Sequence, residues 1–417
     1  MANDFRTMKD IDFTGKRVLV RCDFNSPLGP EGEPLEFMRI RVYKPTFDAL
    51  KGAAKVVAIS HQGRLGKDDC VTLKRHAEIL AQTIDQKVIF VDDTIGEKAL
   101  SAIKNLKQGE VLVLENTRFL KEDNENASPE QHARTKLVST LAPHFDYFIN
   151  DAFSVSHRSQ ASVVGFPYVL PACAGLVVEK EMEAMLRALE KGRRPSVYVI
   201  GGAKLSEVIK VMEVTLERNR IDKILLGGAV AQAFLYVRGL VPLEATKVIQ
   251  EKPEEMPGLL ERARKLNEKY GSRIEVPIDV AISYGGREEV LVTDPRLKSY
   301  PVQDIGEKTI QIYAYEIQKA RAAMSKGPMG RYENPAFLKG TVKILFAMDT
   351  TRAYTLIGGG HMGNIAFDLG IVVDHISTAG GAVLAFMSDE PLPGIEVLKE
   401  NLRRFPSGTG LQRAARA

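Results

Sequence analysis

Short apolar runs rich in valine, isoleucine and leucine alternate with longer stretches of helical spacing from one end of the chain to the other. The runs predict strands at 17–21, 55–60, 88–91, 110–114 and 147–150. A second series follows at 196–200, 223–226, 275–280, 309–312, 343–347, 354–357 and 371–373. Most show no polar alternation, which is the pattern of strands covered on both faces. Helical periodicity occupies stretches such as 72–82 and 258–269. Strand–helix alternation of this kind implies parallel sheets with right-handed crossovers. The expected fold class is therefore α/β, with two doubly wound parallel-sheet domains joined by a helix.

The joining helix is read from residues 176–189. Met182, Met185, Leu186 and Leu189 recur there at helical spacing, and Lys191-Gly192-Arg193-Arg194-Pro195 supplies a stop. The same pattern also describes an ordinary packed helix. At 417 residues the chain exceeds what one hydrophobic core organises, which agrees with two domains. No internal repeat or low-complexity tract interrupts it. The tail beyond Pro406 is polar, and its pattern fits either a loose end or one packed back on the body.

Composition narrows the class. Hydrophobic residues at 44% and charged residues at 26% are ordinary for a globular protein. The first 17 residues have no apolar core, so they do not read as a signal peptide, and no apolar run is long enough to span a membrane. Cys22, Cys70 and Cys173 are too scattered for a disulfide framework or a zinc site, which points to a reducing, cytoplasmic setting. The net charge of +4 is too mild to imply a nucleic-acid partner.

In open parallel sheets ligands bind beyond the carboxyl ends of strands. Asp23, Phe24 and Asn25 follow the first strand, with Arg39 shortly after. His61, Gln62, Gly63 and Arg64 follow the second. Arg118 follows the strand at 110–114, and His157 and Arg158 follow the strand at 147–150. One such arginine is usually a solvated charge. Several converging on one edge would repel one another unless an anion sits among them. Arginine's planar fork suits phosphate or carboxylate. In the second half, strands end in Gly201-Gly202-Ala203-Lys204, Gly227-Gly228, Gly327-Pro328-Met329-Gly330 and Gly358-Gly359-Gly360-His361-Met362-Gly363. Glycines let backbone amides approach phosphates, so several together favour a nucleotide.

Three classes fit these features: a phosphotransferase, a nicotinamide-dependent dehydrogenase using the Gly358–Gly363 loop, and a non-enzymatic anion binder. No P-loop motif is present. The segments VRCDFNSPL, SHQGR, ENTRF, NDAFSVSHRSQAS, GGAKLSE, KGPMGRYE and ISTAGGAV, in this order, resemble the phosphoglycerate kinase family, in its archaeal form. The resemblance covers nearly the whole chain.

It implies a substrate domain over residues 1–172 completed by 391–417, a hinge helix over 173–192, and a nucleotide-binding domain over 193–390. It further implies 3-phosphoglycerate and ATP or ADP with Mg²⁺ as small-molecule partners, in a monomer or homodimer. Asp23 and Asn25, with Phe24 between them, would meet the substrate's hydroxyl and carboxylate end. His61, Gln62, Gly63, Arg64, Arg118 and Arg158 would surround its phosphate. Arg39 and Lys204 would face the transferring group from opposite domains. Gly201, Gly228, Glu333, Gly359, Gly360, His361 and Met362 would line the nucleotide. Three positions depart from the family pattern: His361 replaces an aspartate, Val208 a lysine, and Ser325-Lys326 a Trp-Asn pair. The metal ligands are therefore not assigned, and the charge missing at Val208 is left to Lys210 or Lys326.

Overall fold

The computed structural model describes residues 4–406, with the side chains of Lys247 and His361 outside that description. The chain divides into two compact units. One takes in residues up to Met182 together with those from Pro391 on, and the other is Glu183–Glu390. The helix Leu176–Ala188 runs through the division.

In the first unit, β1 (Arg17–Arg21), β2 (Lys55–Ile59), β3 (Lys87–Phe90), β4 (Glu110–Val113), β5 (Tyr147–Asn150) and β6 (Ala172–Ala174) form one parallel sheet in the order β3-β4-β2-β1-β5-β6. Connections after β1 travel toward β2, and those after β5 travel the other way. The direction of winding thus reverses between β1 and β5, the place where an open α/β sheet leaves a crevice. Val18, Val20, Val56, Ala58, Val111 and Ile149 bury one face of the sheet against Ile40, Tyr43 and Phe47. The C-terminal helix Pro393–Arg404 belongs to this unit. Asn401, fully buried within it, accepts from Ala172 N at 2.9 Å and donates to Pro167 O at 2.5 Å and Leu170 O at 2.7 Å.

The second unit repeats the plan. Its strands are β7 (Ser196–Ile200), β8 (Lys223–Leu226), β9 (Ile274–Glu275), β10 (Asp279–Ser283), β11 (Arg287–Leu291), β12 (Val302–Ile305), β13 (Ala322–Lys326), β14 (Tyr354–Gly358) and β15 (His375–Ser377). Six form a parallel sheet, β15-β14-β13-β7-β8-β9, whose winding reverses between β7 and β13. The other three make a small antiparallel sheet, β11-β10-β12, that the periodicity did not indicate.

Several strand expectations are corrected. Residues 309–312 lie in the helix Glu307–Lys319 and 343–347 in the helix Lys339–Thr350. In each, a short apolar run is one segment of an inward stripe (Ile310, Tyr313, Ile317; Ile344, Leu345, Met348), and four residues cannot distinguish this from a strand. The stretch 275–280 is interrupted around Pro277 and contributes to two different sheets. The last strand is His375–Ser377 rather than 371–373. β13 escaped notice because Ala-Ala-Met-Ser-Lys is small and polar, although it lies beside β7 in the middle of its sheet.

Candidate active site

The loops leaving β1, β2, β4 and β5 gather the charged residues of the first unit around Asp23. Its side chain is buried, and both of its oxygens are engaged. Asp23 Oδ2 accepts from Ser154 Oγ and from Arg39 at 3.3 Å, while Oδ1 accepts the Asn25 amide at 3.1 Å. His61 Nδ1 stands 3.5 Å from Oδ1. Burial would raise this carboxyl, but the Arg39 guanidinium and the hydrogen bond from Ser154 outweigh it and hold the carboxyl below its ordinary value, so it stays ionised. Arg39 also donates to Glu36 at 2.7 Å, which fixes its guanidinium between two carboxylates.

Around this carboxylate lie the cations. Arg118 is 4% exposed; it donates to Asp123 O at 2.7 Å and to Gln160 Oε1 at 3.1 Å, and its Nε has no protein partner. Burial, with Arg158 and Arg21 nearby, pushes its pKa down to about 10. Burial and the neighbouring cations Arg64 and Arg21 also lower Arg158. Arg64 is exposed at the rim. Buried like charges pressed together, with a guanidinium N–H left unmet, are the marks of an anion site.

Not every expected residue offers a side chain to a ligand. Phe24 is fully buried in the core, so only its backbone is at the edge. Gln62, 1% exposed, spends both ends of its amide on Ser26 (N to Oε1 2.9 Å, Nε2 to O 3.0 Å). Gly63 has φ +70°, and a Cβ there would sit 2.1 Å from Asp69 O, so the tight turn after β2 requires glycine. The sequence reading passed over Arg21, Ser154 and Glu36. Arg21 lies inside a strand, where its register suggests only a sheet position, whereas Ser154 was already inside the motif NDAFSVSHR.

In the second unit the glycine loops interlock at the reversal between β7 and β13. Gly201 N donates to Lys326 O at 2.8 Å, Gly202 N to Pro328 O at 2.9 Å and Gly228 N to Met329 O at 2.8 Å. A Cβ on Gly327 (φ +75°) would lie 2.6 Å from Gly201 O. Next to these loops is a pocket of about 680 Å³ lined by Gly202, Ala203, Gly228, Pro328, Gly330 and Glu333 among others. Lys204 caps the helix Leu205–Glu217, and its ammonium is 3.4 Å from Glu207. The other oxygen of Glu207 takes Lys326 at 3.3 Å, whose side chain is only 18% exposed and is held below the usual lysine range by burial. Val208 is buried, and Lys210 is exposed and paired with Glu390 at 2.7 Å.

Gly359 (φ +97°) and Gly360 open the helix Gly360–Asp368 but do not line the pocket, and Met362 packs in the core. The side chain of His361 lies outside the described residues. The β14 loop is one strand away from the reversal, and a single strand, β15, follows it. That placement removes the geometric basis for a dinucleotide site there.

A family model for phosphoglycerate kinase matches residues 8–390. Among curated proteins, phosphoglycerate kinase of Methanothermus fervidus is 39% identical over 405 residues, covering 96% of this chain and 98% of the relative. That of Aeropyrum pernix is 40% identical over 412 residues, covering 97% and 98%. Among solved structures, phosphoglycerate kinase from Pyrococcus horikoshii OT3 superposes with a TM-score of 0.89 at 37% identity, over 96% of this chain and 100% of that one.

Proposed function

The chain belongs to the phosphoglycerate kinase family, and on that premise we propose that it transfers a phosphoryl group reversibly between ATP and the carboxylate of 3-phosphoglycerate, giving ADP and 1,3-bisphosphoglycerate. The observation that carries the reading is the packed patch of Arg118, Arg158 and Arg64, with His61 beside them, around an ionised Asp23. Asp23 and Asn25 orient the hydroxyl and carboxylate end of the substrate, and the patch grips its phosphate. Gly63, Gln62 and Phe24 shape the edge through the backbone.

The glycine-lined pocket takes the nucleoside, with Glu333 on the ribose hydroxyls. Gly201 and Gly228, with the backbone of Gly359 to Met362 further along the edge, complete the nucleotide side. Magnesium would arrive with the nucleotide, as part of that substrate. The metal shields the phosphate charge as it shifts between oxygens.

The chemistry asks little covalent work of the protein. A carboxylate oxygen of 3-phosphoglycerate attacks the γ-phosphorus, and the bond to the β,γ-bridging oxygen breaks as ADP leaves. Catalysis therefore rests on alignment and on fixed positive charge where the transferring group passes. Arg39 supplies that charge from the first unit and Lys204 from the second. Each reactant is held by a different unit, so reaction needs them brought together. The helix Leu176–Ala188 is the natural hinge for that closure, which also keeps water from the acyl phosphate. Three free cysteines suit a cytoplasmic setting, and among the described residues no helix is long and apolar enough to cross a membrane.

The test is direct. Purified protein given MgATP and 3-phosphoglycerate is expected to form ADP in a coupled assay, and a preparation that forms none overturns the reading.

A further inference from the structure

Among the described residues Arg21 is the largest fully buried side chain, yet it carries a permanent charge at the end of β1, an interior strand of the first sheet. A guanidinium there must be compensated by hydrogen bonds, and its bonds have one consistent direction. Arg21 Nε donates to Ser162 Oγ at 2.9 Å, and Ser162 Oγ donates onward to Asp123 Oδ2 at 3.1 Å. Asp123 is itself fully buried and is further tied to the Ser162 amide at 2.8 Å. A second Arg21 nitrogen donates to Cys22 O. The third, Nη2, points at His61 Nδ1 from 3.2 Å.

Arginine has donors only. The contact with His61 therefore uses the lone pair of Nδ1, and in a neutral ring the proton must then be on Nε2. The competing demand would come from Asp23, whose carboxylate could accept a proton from Nδ1. At 3.5 Å it is further away, and its oxygens are already taken by Ser154, Arg39 and the Asn25 amide. The groups facing the ring are Arg21, Arg118 and Arg158, which oppose a charge on it, and Asp23, which favours one. Burial also opposes a charge, and the net effect lowers the ring's pKa well below that of a free histidine. Among the described residues, the contacts of this ring run through Nδ1, which leaves Nε2 for a ligand.

We infer that His61 meets the substrate's phosphate as a neutral hydrogen-bond donor through Nε2–H, and that Arg21 is a positioning residue that keeps the proton on that nitrogen. The inference rests on the reading that this edge binds the phosphate of 3-phosphoglycerate. Within the patch the labour is divided: the arginines supply charge, and His61 supplies direction at an invariant protonation state. A merely structural histidine has no need of one tautomer at a ligand-facing nitrogen. A cationic histidine would lose its grip as the pH rises.

Long-range ¹H–¹⁵N correlation spectra of the full chain labelled at histidine nitrogens read the tautomer directly, with His61 assigned through the His61→Gln variant. At pH 7 the expected pattern is Nε2 protonated and Nδ1 bare, unchanged when inorganic phosphate is added except for a shift at Nε2. A ring protonated on Nδ1, or on both nitrogens, overturns the inference. Kinetics give an independent reading. Glutamine is a neutral donor, so the ratio of KM for 3-phosphoglycerate between His61→Gln and wild type is expected to stay constant from pH 6 to 8. A ratio that grows as pH falls would mean a charged His61, and the inference fails.

Arg21→Met is expected to release the tautomer and make KM pH-dependent while kcat moves less, with Arg21→Lys restoring part of the behaviour. A folded Arg21→Met protein with an unchanged His61 spectrum also overturns it. Should that variant not fold, the wild-type spectrum still decides. The spectra need no turnover, so a chain that shows the Nε2–H pattern but transfers no phosphoryl group defeats the kinase reading and leaves the tautomer assignment standing.

Discussion

Two lysines share one carboxylate in the second unit: Lys204 and Lys326 both reach Glu207, at 3.4 and 3.3 Å. The cluster carries one net positive charge, and Lys326, unlike Lys204, is largely shut off from water. A buried ammonium with half a partner gains most from a bound anion. Lys326 is therefore the lysine expected to meet the inner phosphates of the nucleotide, rather than Lys210, which is exposed and committed to Glu390. Replacing Lys326 by Met is expected to raise KM for ATP by about 10-fold or more, the worth of one charge-assisted hydrogen bond, with KM for 3-phosphoglycerate unchanged. Steady-state kinetics with each substrate varied in turn check this, and an unchanged KM for ATP would sink the assignment.

At this scale the legible residues were those just past a strand end, such as Asp23, His61, Arg118 and Lys204, because the edge rule says where to look. Arg21 was illegible because it lies inside the strand. The commitment of Glu207 to two lysines is a matter of side-chain reach that spacing does not encode. Phe24 and Met362 differ from these, since adjacency in a motif places them beside the site while their side chains pack in the core.

Among the elements, the helix Leu176–Ala188 begins with a specific attachment. Asp151, fully buried after β5, accepts from the amides of Val177 at 2.8 Å and Val178 at 3.2 Å and from Thr46 Oγ1 at 2.6 Å. Burial pushes this carboxyl up to about 7, against the pull of those hydrogen bonds. Between about pH 4 and 7 the native state then holds a proton that the unfolded chain has lost. Stability from this group is full below the unfolded value and declines as pH rises through the folded one. The loss is on the order of 4 kcal/mol. Urea unfolding at pH 5 and pH 8 is expected to show that decline in wild type and a flatter response in Asp151→Asn, which mimics the protonated acid. Equal slopes in both proteins would refute it. Elements with long periodic patterns, such as this helix, could be read directly from sequence. The short ones could not, because four apolar residues occur equally in a strand and on the inner stripe of a helix, and because β13 has too little hydrophobicity to register.

For the molecule as a whole, the plan is one reversal of winding in each sheet, with the basic residues at one and the glycine loops at the other. The first unit is closed by the end of the chain. Besides the three hydrogen bonds of Asn401, Asn150 Nδ2 donates to Gly394 O at 3.0 Å, and Gly394 N donates to Ser156 O at 2.9 Å, beside the β5 loop that carries Ser154 and Arg158. Asn401→Ala leaves buried backbone groups of residues 167–172 unsatisfied. It is expected to cost about 3 kcal/mol or more. Affinity for 3-phosphoglycerate should weaken in step with that loss, while ADP binding to the second unit stays as it was. Calorimetric titration with each ligand checks this, and a parallel loss of ADP binding would count against it.

The return of the chain to its first unit also has a consequence in time. A ribosome makes this protein from its N-terminal side onward, and domains usually fold in the order they emerge. Here the unit Glu183–Glu390 is complete in sequence before the first unit has received its closing helix. The nascent chain is therefore expected to acquire a finished glycine-lined pocket while the cation patch still waits for residues 393–404. The half of the enzyme written first becomes whole last.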